Sequence, residues 1–392
     1  MNFSAEDKRY MKLAISIAEK ARGFTSPNPM VGAVIVKDGK MLSSGYHKKA
    51  GSSHAEVEAI NACPDKKLLA GATMYVSLEP CCIYGKTPPC TEAIIKNGIS
   101  RVVAACRDPN PEVSGRGFEI LKAAGVIVDY GLLEERAKKQ NEIFFKSITS
   151  GRPFVTIKIA SSLDGRTALD SGNSKWITSE KSRRLVQKMR LKNDCILTGI
   201  NTVLTDDPLL HLRIAKTSSV PLKSRKFLRA ILDSSLRISP QSKIACTSER
   251  IKTIVFTSSL NNEQRKKAAL LKKMGMEITE IKELQKQKEN TDITLLDLSQ
   301  ILKILHDNYE VTSVLVEAGQ MLCSSFLKNK LFDKMILFMA PKIIGNDSRY
   351  GMFGNLSTKL LSDCPVLEIE SVKNIDGDLM ITAYPKKKNA LL

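Results

Sequence analysis

The sequence contains no run of 18 or more apolar residues, the length a membrane-spanning helix needs, so no such helix is expected. It also has no apolar signal core, because the opening MNFSAEDKRYMKLAISIAEK is charged throughout. Ser4 and Asp7 form the cap pattern of an amphipathic helix there, with Met11, Ala14, Ile15 and Ala18 on one face, and the expected location is cytoplasmic. Without a secretory segment, nine cysteines argue against a disulfide framework and for free thiols or metal ligation. No internal repeat of fixed period occurs. A G-x-G-x-x-G fingerprint is missing too: the nearest string, GRGFEI at 115–120, lacks the last glycine, which disfavours a Rossmann-type cofactor site.

What is present is ordinary globular usage, 43% hydrophobic and 26% charged, over 392 residues, enough for two or three domains with ample cores. The formal net charge is +19, and residues 1–150 carry only +5 of it. A basic balance suits polyanions, among them nucleic acid, phosphorylated metabolites and dinucleotide cofactors. The Lys-rich stretch at 263–289 and the KKK at 386–388 read as solvated helix and tail.

Two strand-like runs at 31–36 and 41–46 are joined by KDGK, a hairpin signal because the turn needs positive φ. Helices near 53, 91–97 and 117–124 alternate with strands at 72–78, 101–106 and 126–129, giving a layered α/β domain. SITSGRP at 147–153 has boundary composition, so the domains are expected at 1–146 and 147–392. The second is again α/β, with strands at 154–160, 195–199, 228–233, 252–257, 313–317, 334–340 and 378–384 and helices at 179–192 and 319–328.

The residues richest in chemistry are His54-Ala55-Glu56, Glu79-Pro80-Cys81 and Cys90. One imidazole and two thiolates suit Zn²⁺ and leave a fourth position for water, whose pKa the metal lowers toward about 7. Glu56, two residues from the histidine and not a ligand, is placed to move protons. Together these form the ordered H-x-E…P-C…C pattern of zinc deaminases, although Cys81 and Cys90 stand further apart than usual and Cys82 could compete for the metal.

The strings TSPNPMVGAVIV (25–36), GYH (45–47), HAE (54–56), SLEPCCIYGKTPPC (77–90) and DPNP (108–111) resemble the bifunctional riboflavin-biosynthesis deaminase/reductase family. KIASSLDGRTA (158–168), SKWIT (174–178), TGINTVLTDDPLL (198–210) and VLVEAG (314–319) agree independently, so the resemblance spans nearly the whole chain. It implies an N-terminal cytidine-deaminase-like three-layer α/β/α domain and a C-terminal dihydrofolate-reductase-like α/β domain. The implied first reaction removes an amino group from 2,5-diamino-6-(5-phosphoribosylamino)pyrimidin-4(3H)-one. The second reduces the ribosyl group of the resulting aminouracil to ribityl with NADPH.

Carried over residue by residue, the resemblance makes His54, Cys81 and Cys90 zinc ligands, Glu56 the proton shuttle, and Asn28, His47, Lys86, Asp108 and Asn110 substrate contacts. Lys86 and His47 are the types that could meet a phosphate. In the second half it assigns Ala160, Trp176, Thr202, Asp206, Ser234 and the segment Gly319, Gln320, Met321, Leu322, Cys323, Ser324 and Ser325 to NADPH. Ser174, Arg190, Leu210, Arg213 and Glu317 fall to the phosphoribosyl substrate, with Arg190 and Arg213 suited to bidentate phosphate binding. Hydride delivery needs a proton source, for which Asp206 and Glu317 are candidates. The sequence departs from the family at Cys82-Ile83, where Ser-His is usual, and an aliphatic Ile83 can neither donate a hydrogen bond nor carry charge. The resemblance leaves room for a homo-oligomer built through the reductase domain. The rival reading, a tRNA base deaminase with an accessory basic domain, is disfavoured by the long cysteine spacing and the whole second half, so phosphoribosylated pyrimidines, not nucleic acid or membrane, are the expected partners.

Overall fold

The structure, a computed structural model, describes residues 3–85, 88–212, 225–284, 295–345, 350–354 and 356–386. The chain divides into two compact units, Met1–Arg152 and Pro153–Leu392. No helix among the described residues is long and apolar enough to cross a membrane.

In the first unit, strands β1 (Gly32–Lys37), β2 (Lys40–Tyr46), β3 (Thr73–Val76), β4 (Arg101–Ala104) and β5 (Ile127–Tyr130) form one sheet in the order β2-β1-β3-β4-β5. β1 is antiparallel to β2 and β3, while β3, β4 and β5 run parallel. The hairpin turn takes positive φ at Asp38 (49°) and Gly39 (71°), as the KDGK string requires. Six helices surround the sheet: α1 (Ala5–Ala18), α2 (Ala55–Ala62), α3 (Cys90–Lys96), α4 (Arg116–Ala123), α5 (Glu134–Gln140) and α6 (Glu142–Ser150). The Ser4/Asp7 capping box starts α1, and Met11, Ala14, Ile15 and Ala18 are buried.

Two close approaches put helices on opposite faces of this sheet. A Cβ on Gly32 would stand 2.1 Å from the Ala14 carbonyl of α1, and one on Gly45 would stand 2.4 Å from the Ala59 nitrogen of α2. Gly45 pairs with Ala33, the neighbour of Gly32, so the two glycines point to different faces. The missing side chain at Gly45 lets α2 settle onto β2, which fixes where that helix begins.

The second unit holds strands β6 (Phe154–Ser162), β7 (Cys195–Gly199), β8 (Leu228–Leu232), β9 (Thr253–Thr257), β10 (Met276–Glu280), β11 (Glu283–Leu284), β12 (Leu295–Leu296), β13 (Ser313–Val316), β14 (Lys334–Ala340), β15 (Leu367–Ile375) and β16 (Asp378–Pro385). Nine of them form one sheet in the order β10-β9-β8-β7-β13-β6-β14-β16-β15, while β11 and β12 pair separately. Every neighbouring pair from β10 to β14 is parallel, and β16 and β15 complete the sheet antiparallel. Helices α7 (Glu180–Leu191), α8 (Ile200–Asp206), α9 (Lys243–Cys246), α10 (Asn262–Lys273), α11 (Leu298–Tyr309) and α12 (Gln320–Lys328) connect them. Alternate residues of β7, β8 and β9 feed two separate apolar clusters, Leu197, Ala230 and Phe256 on one side and Ile196, Ile231 and Val255 on the other, so both faces are covered.

The division falls within the expected boundary segment 147–153: α6 continues through Ser150, and the compact units part at Arg152/Pro153. One expectation is corrected here. The Lys-rich 263–289 stretch is not one helix: α10 ends at Lys273, and Met276–Glu280 is an edge strand, β10. Gly275, at φ 86°, separates the two.

Candidate active sites

The metal cluster of the first unit is assembled from two helix starts and a turn. His54 is the N-cap of α2 but makes no side-chain capping bond, which leaves its imidazole free to face the sulfurs. Cys90 is the first residue of α3, after Pro89. His54 Nδ1 lies 3.3 Å from Cys81 Sγ and 3.3 Å from Cys90 Sγ. The donor atoms of all three fall within 4.8 Å of one another, the one such group among the described residues, and Cys82 is outside it. The Cys90 backbone N–H donates to Cys81 Sγ at 3.4 Å. Cys81 is pulled down to about 4 by the Cys90 thiol and then the His54 imidazole, against the opposing effect of burial. One imidazole and two sulfurs at this spacing fit a three-ligand zinc site with one position open.

Glu56 is 3% exposed. Burial, then the negative charge at Cys81, push its carboxyl up to about 7. A carboxyl that exchanges its proton near neutrality suits a shuttle.

Asn28 and His47 stand beside this cluster, the His47 and His54 rings meeting edge-on at 5.4 Å. His47 Nδ1 lies 3.1 Å from the Ser53 carbonyl and Nε2 lies 3.2 Å from Asn28 Nδ2. Nδ1 therefore carries the proton and Nε2 accepts from the amide. Burial is the largest influence on His47 and lowers its pKa. Asp108 is buried and pushed up to about 6 by that burial, and it accepts the Asn110 N–H at 2.8 Å. Lys86 lies outside the described residues.

Glu79 has a role that no sequence pattern announces. Its carboxylate accepts the backbone N–H groups of Asp108 (3.1 Å), Gly115 (3.0 Å) and Gly117 (3.1 Å). A Cβ on Gly117 would stand 2.2 Å from the Pro80 carbonyl. Glu79 thus ties the segment bearing Asp108 and Asn110 to the turn bearing Cys81.

In the second unit, the expected residues Ala160, Thr202, Ser234, Glu317 and Gly319 all lie at or beyond the carboxyl ends of parallel strands, where open α/β sheets bind ligands. Glu317 follows β13 and meets Arg190 through both oxygens, Nε to Oε1 at 2.6 Å and Nη2 to Oε2 at 3.0 Å. Arg190 Nη1 donates to the His211 carbonyl at 3.4 Å. Its fork is occupied within the protein by Glu317 and the His211 carbonyl. Burial raises the Glu317 carboxyl, but Arg190 and then Lys158 outweigh it and hold it below the usual range. Held in its ionised form, the carboxylate accepts hydrogen bonds.

Lys158 is the residue that sequence reasoning missed. Its Nζ lies 3.9 Å from Glu317 Oε2, and burial lowers its pKa. The available signal was a lysine inside the otherwise apolar strand FVTIKIA. Asp206 is the last residue of α8. Trp176 is 62% exposed, not a core residue, with the Arg183 guanidinium 4.4 Å from its ring centre. In the 319–325 segment, Cys323 packs in the core, Gln320 Oε1 accepts the Gly351 N–H at 3.1 Å and Ser324 Oγ accepts the Gly354 N–H at 2.8 Å. What faces outward is the start of α12, which has no side-chain cap and open space at Gly319. An uncapped helix start with open space beside it fits a phosphate-bearing cofactor. Arg213 lies outside the described residues.

Residues 4–106 match the cytidine and deoxycytidylate deaminase zinc-binding region, and residues 153–381 match the RibD C-terminal domain. Fold and sites together define a bifunctional enzyme, a cytidine-deaminase-like domain followed by a reductase domain. The chain is 43% identical over 375 residues to riboflavin biosynthesis protein RibD of Aquifex aeolicus, covering 96% of this chain and 97% of that one. It is 36% identical to the Escherichia coli protein of that name, covering 96% and 98%. Among solved structures, Acinetobacter baumannii RibD matches with a TM-score of 0.85 and 37% identity, covering 97% and 99%. A Thermotoga maritima diaminohydroxyphosphoribosylaminopyrimidine deaminase/5-amino-6-(5-phosphoribosylamino)uracil reductase matches with a TM-score of 0.80 and 35% identity, covering 97% and 99%. The chain belongs to the RibD family, the bifunctional deaminase/reductases of riboflavin biosynthesis.

Proposed function

We propose that the first unit removes the 2-amino group of the diaminopyrimidine phosphoribosyl substrate and that the second reduces the ribosyl group of the product to ribityl with NADPH. Zinc, held by His54, Cys81 and Cys90, supplies a Lewis acid that acidifies a water in its open position. Glu56 would carry the two protons of the attacking water in turn, the first to the ring nitrogen and the second to the amino group that leaves as ammonia. Asn28, oriented by His47, reads the donor and acceptor edge of the pyrimidine together with Asp108 and Asn110. The convergence of three ligand atoms on one point, with a buried carboxyl beside them, carries this reading.

In the second unit NADPH supplies the hydride. Glu317, kept ionised by Arg190, orients Lys158, whose depressed ammonium pKa readies it to give up a proton to the opened ribosyl group, with Asp206 as the other candidate. The reading includes a homo-oligomer built through this unit, supported by the uncovered edge strand β15, where Ile369 and Val372 are exposed. A cytoplasmic location goes with it, since free thiol ligands belong to a reducing compartment.

One coupled assay tests both halves: supply the diaminopyrimidine substrate and follow ammonia and NADPH together, with and without chelator. Chelator is expected to stop ammonia release while reduction of the deaminated substrate continues. Salt-sensitive deamination of RNA, with none of the free nucleotide, would replace this reading by the nucleic-acid one.

A further inference from the structure

Arg229, near the start of β8, is 0% exposed. All of its hydrogen-bond partners are neutral. Nε donates to Thr253 Oγ1 at 3.0 Å, and Nη1 donates to the Leu209 carbonyl at 2.8 Å and to Thr247 Oγ1 at 2.8 Å. Nη2 donates to the Ile244 and Ile251 carbonyls at 3.0 and 3.2 Å and to Thr253 Oγ1 at 2.7 Å. Burial lowers its pKa to about 10, which leaves it charged at neutral pH. Burying a cation without a counter-charge is costly, and an apolar side chain would fill the same space without that cost.

The Leu209 carbonyl shows what the charge secures. The other acceptors lie along α9, its exit and the start of β9, whereas Leu209 belongs to the segment after α8. In that segment Asp207 and Leu210 adopt left-handed backbone, with φ 39° and 44°. Such a conformation is disfavoured for a leucine by the clash of Cβ with the backbone, so something outside the segment must hold it. Three bonds do. The Lys243 N–H reaches Asp207 Oδ1 at 2.9 Å, Arg229 holds the Leu209 carbonyl, and Arg190 holds the His211 carbonyl at 3.4 Å. A bond to the Leu209 carbonyl fixes the plane of the 209–210 peptide and hence the φ of Leu210.

The Leu210 side chain is 4% exposed and packs in the apolar cluster of Ile196, Ile200 and Val203, so what the segment can offer a ligand is its main chain. We propose that Arg229 is a positioning residue of the reductase, setting through the Leu209 carbonyl the left-handed backbone that presents the Leu210 main chain to the pyrimidine substrate. The inference rests on the reading of Leu210 as a substrate contact. It extends that reading to a residue that touches neither substrate nor cofactor.

The test uses the full chain with Arg229→Lys and Arg229→Gln, neither of which can reach all the acceptors. In both, KM for the deaminated pyrimidine is expected to rise about tenfold, the equivalent of one charge-assisted hydrogen bond, while KM for NADPH and the ammonia-releasing activity of the same chain stay within about twofold. Thr247→Val removes the other acceptor of Nη1 while leaving its bond to the Leu209 carbonyl, and should lower the unfolding temperature without moving either KM. An unchanged pyrimidine KM in folded Arg229 variants would overturn the role. So would an equal rise in Thr247→Val, or failure of both Arg229 variants to fold their reductase unit, each of which would make Arg229 a purely structural residue. If the unsubstituted chain fails to oxidise NADPH with this substrate, the functional reading itself falls, and this role with it.

Discussion

Arg190 and Glu317 form a two-pronged ion pair, with Lys158 3.9 Å from the same carboxylate. Removing the carboxylate would leave two largely enclosed cations without a counter-charge, a change that costs roughly 3–5 kcal/mol when a buried pair is broken. Glu317→Gln is therefore expected to lower the unfolding temperature of the reductase unit and to cut NADPH oxidation by at least about a hundredfold, with ammonia release unchanged. Unaltered NADPH turnover would remove Glu317 from the mechanism. Lys158→Met and Asp206→Asn, assayed alongside, show which of the two supplies the proton.

The metal cluster and the shuttle should separate cleanly. Cys90→Ser is expected to lose both bound zinc and ammonia release. Glu56→Gln should keep its zinc and lose about 10²- to 10⁴-fold in deamination, the usual range for a general acid–base group. Zinc content by atomic absorption, measured with activity, distinguishes them, and a Glu56→Gln chain that still releases ammonia at the normal rate would end the shuttle assignment.

Glu79 offers a test of positioning away from the metal. Glu79→Ala leaves three backbone N–H groups without their acceptor, at roughly 1–3 kcal/mol each where they are enclosed. Gly117→Ala forces a Cβ against the Pro80 carbonyl, 2.2 Å away. Both are expected to raise KM for the pyrimidine through displaced Asp108 and Asn110 while zinc stays bound. Normal kinetics in both would show that the segment holds its shape unaided.

Acid should loosen the first unit through Asp7. Burial raises this carboxyl, but Arg101, Ser4 and Tyr75 outweigh it and hold it at about 2, below the ordinary 3.8. Because the folded pKa is depressed, the stabilisation is complete above pH 4 and is lost as the pH falls toward 2. Asp7→Asn should therefore flatten the loss of stability across that window, as read by urea unfolding at stepped pH. An unchanged profile would place the acid sensitivity elsewhere.

The metal ligands could be read from the sequence because each sits where a helix start or turn leaves a fixed local pattern, and the structure brings all three together. β1 and β2 were equally legible, through a turn that demands positive φ. Lys158, Glu79 and Arg229 were not. Each depends on partners brought in from distant sequence, so Arg229 looks like any surface cation until the sheet buries it. β10 and β15 were missed for a related reason: both are edge strands, β10 set within a Lys-rich stretch and β15 with mostly exposed side chains and a register shift between Ile369 and Ser371 that interrupts its alternation. The resemblance pointed to Arg190 and Glu317 together, but not to the ion pair they form.

None of His54, Cys81 and Cys90 contributes to the apolar cluster that closes the first sheet. If these residues hold zinc as proposed, the apolar packing of the sheet would not depend on the metal. A zinc-starved cell would hold this chain intact but idle at its first step, with the second still competent, so that zinc supply and not protein abundance would set the flux toward the vitamin.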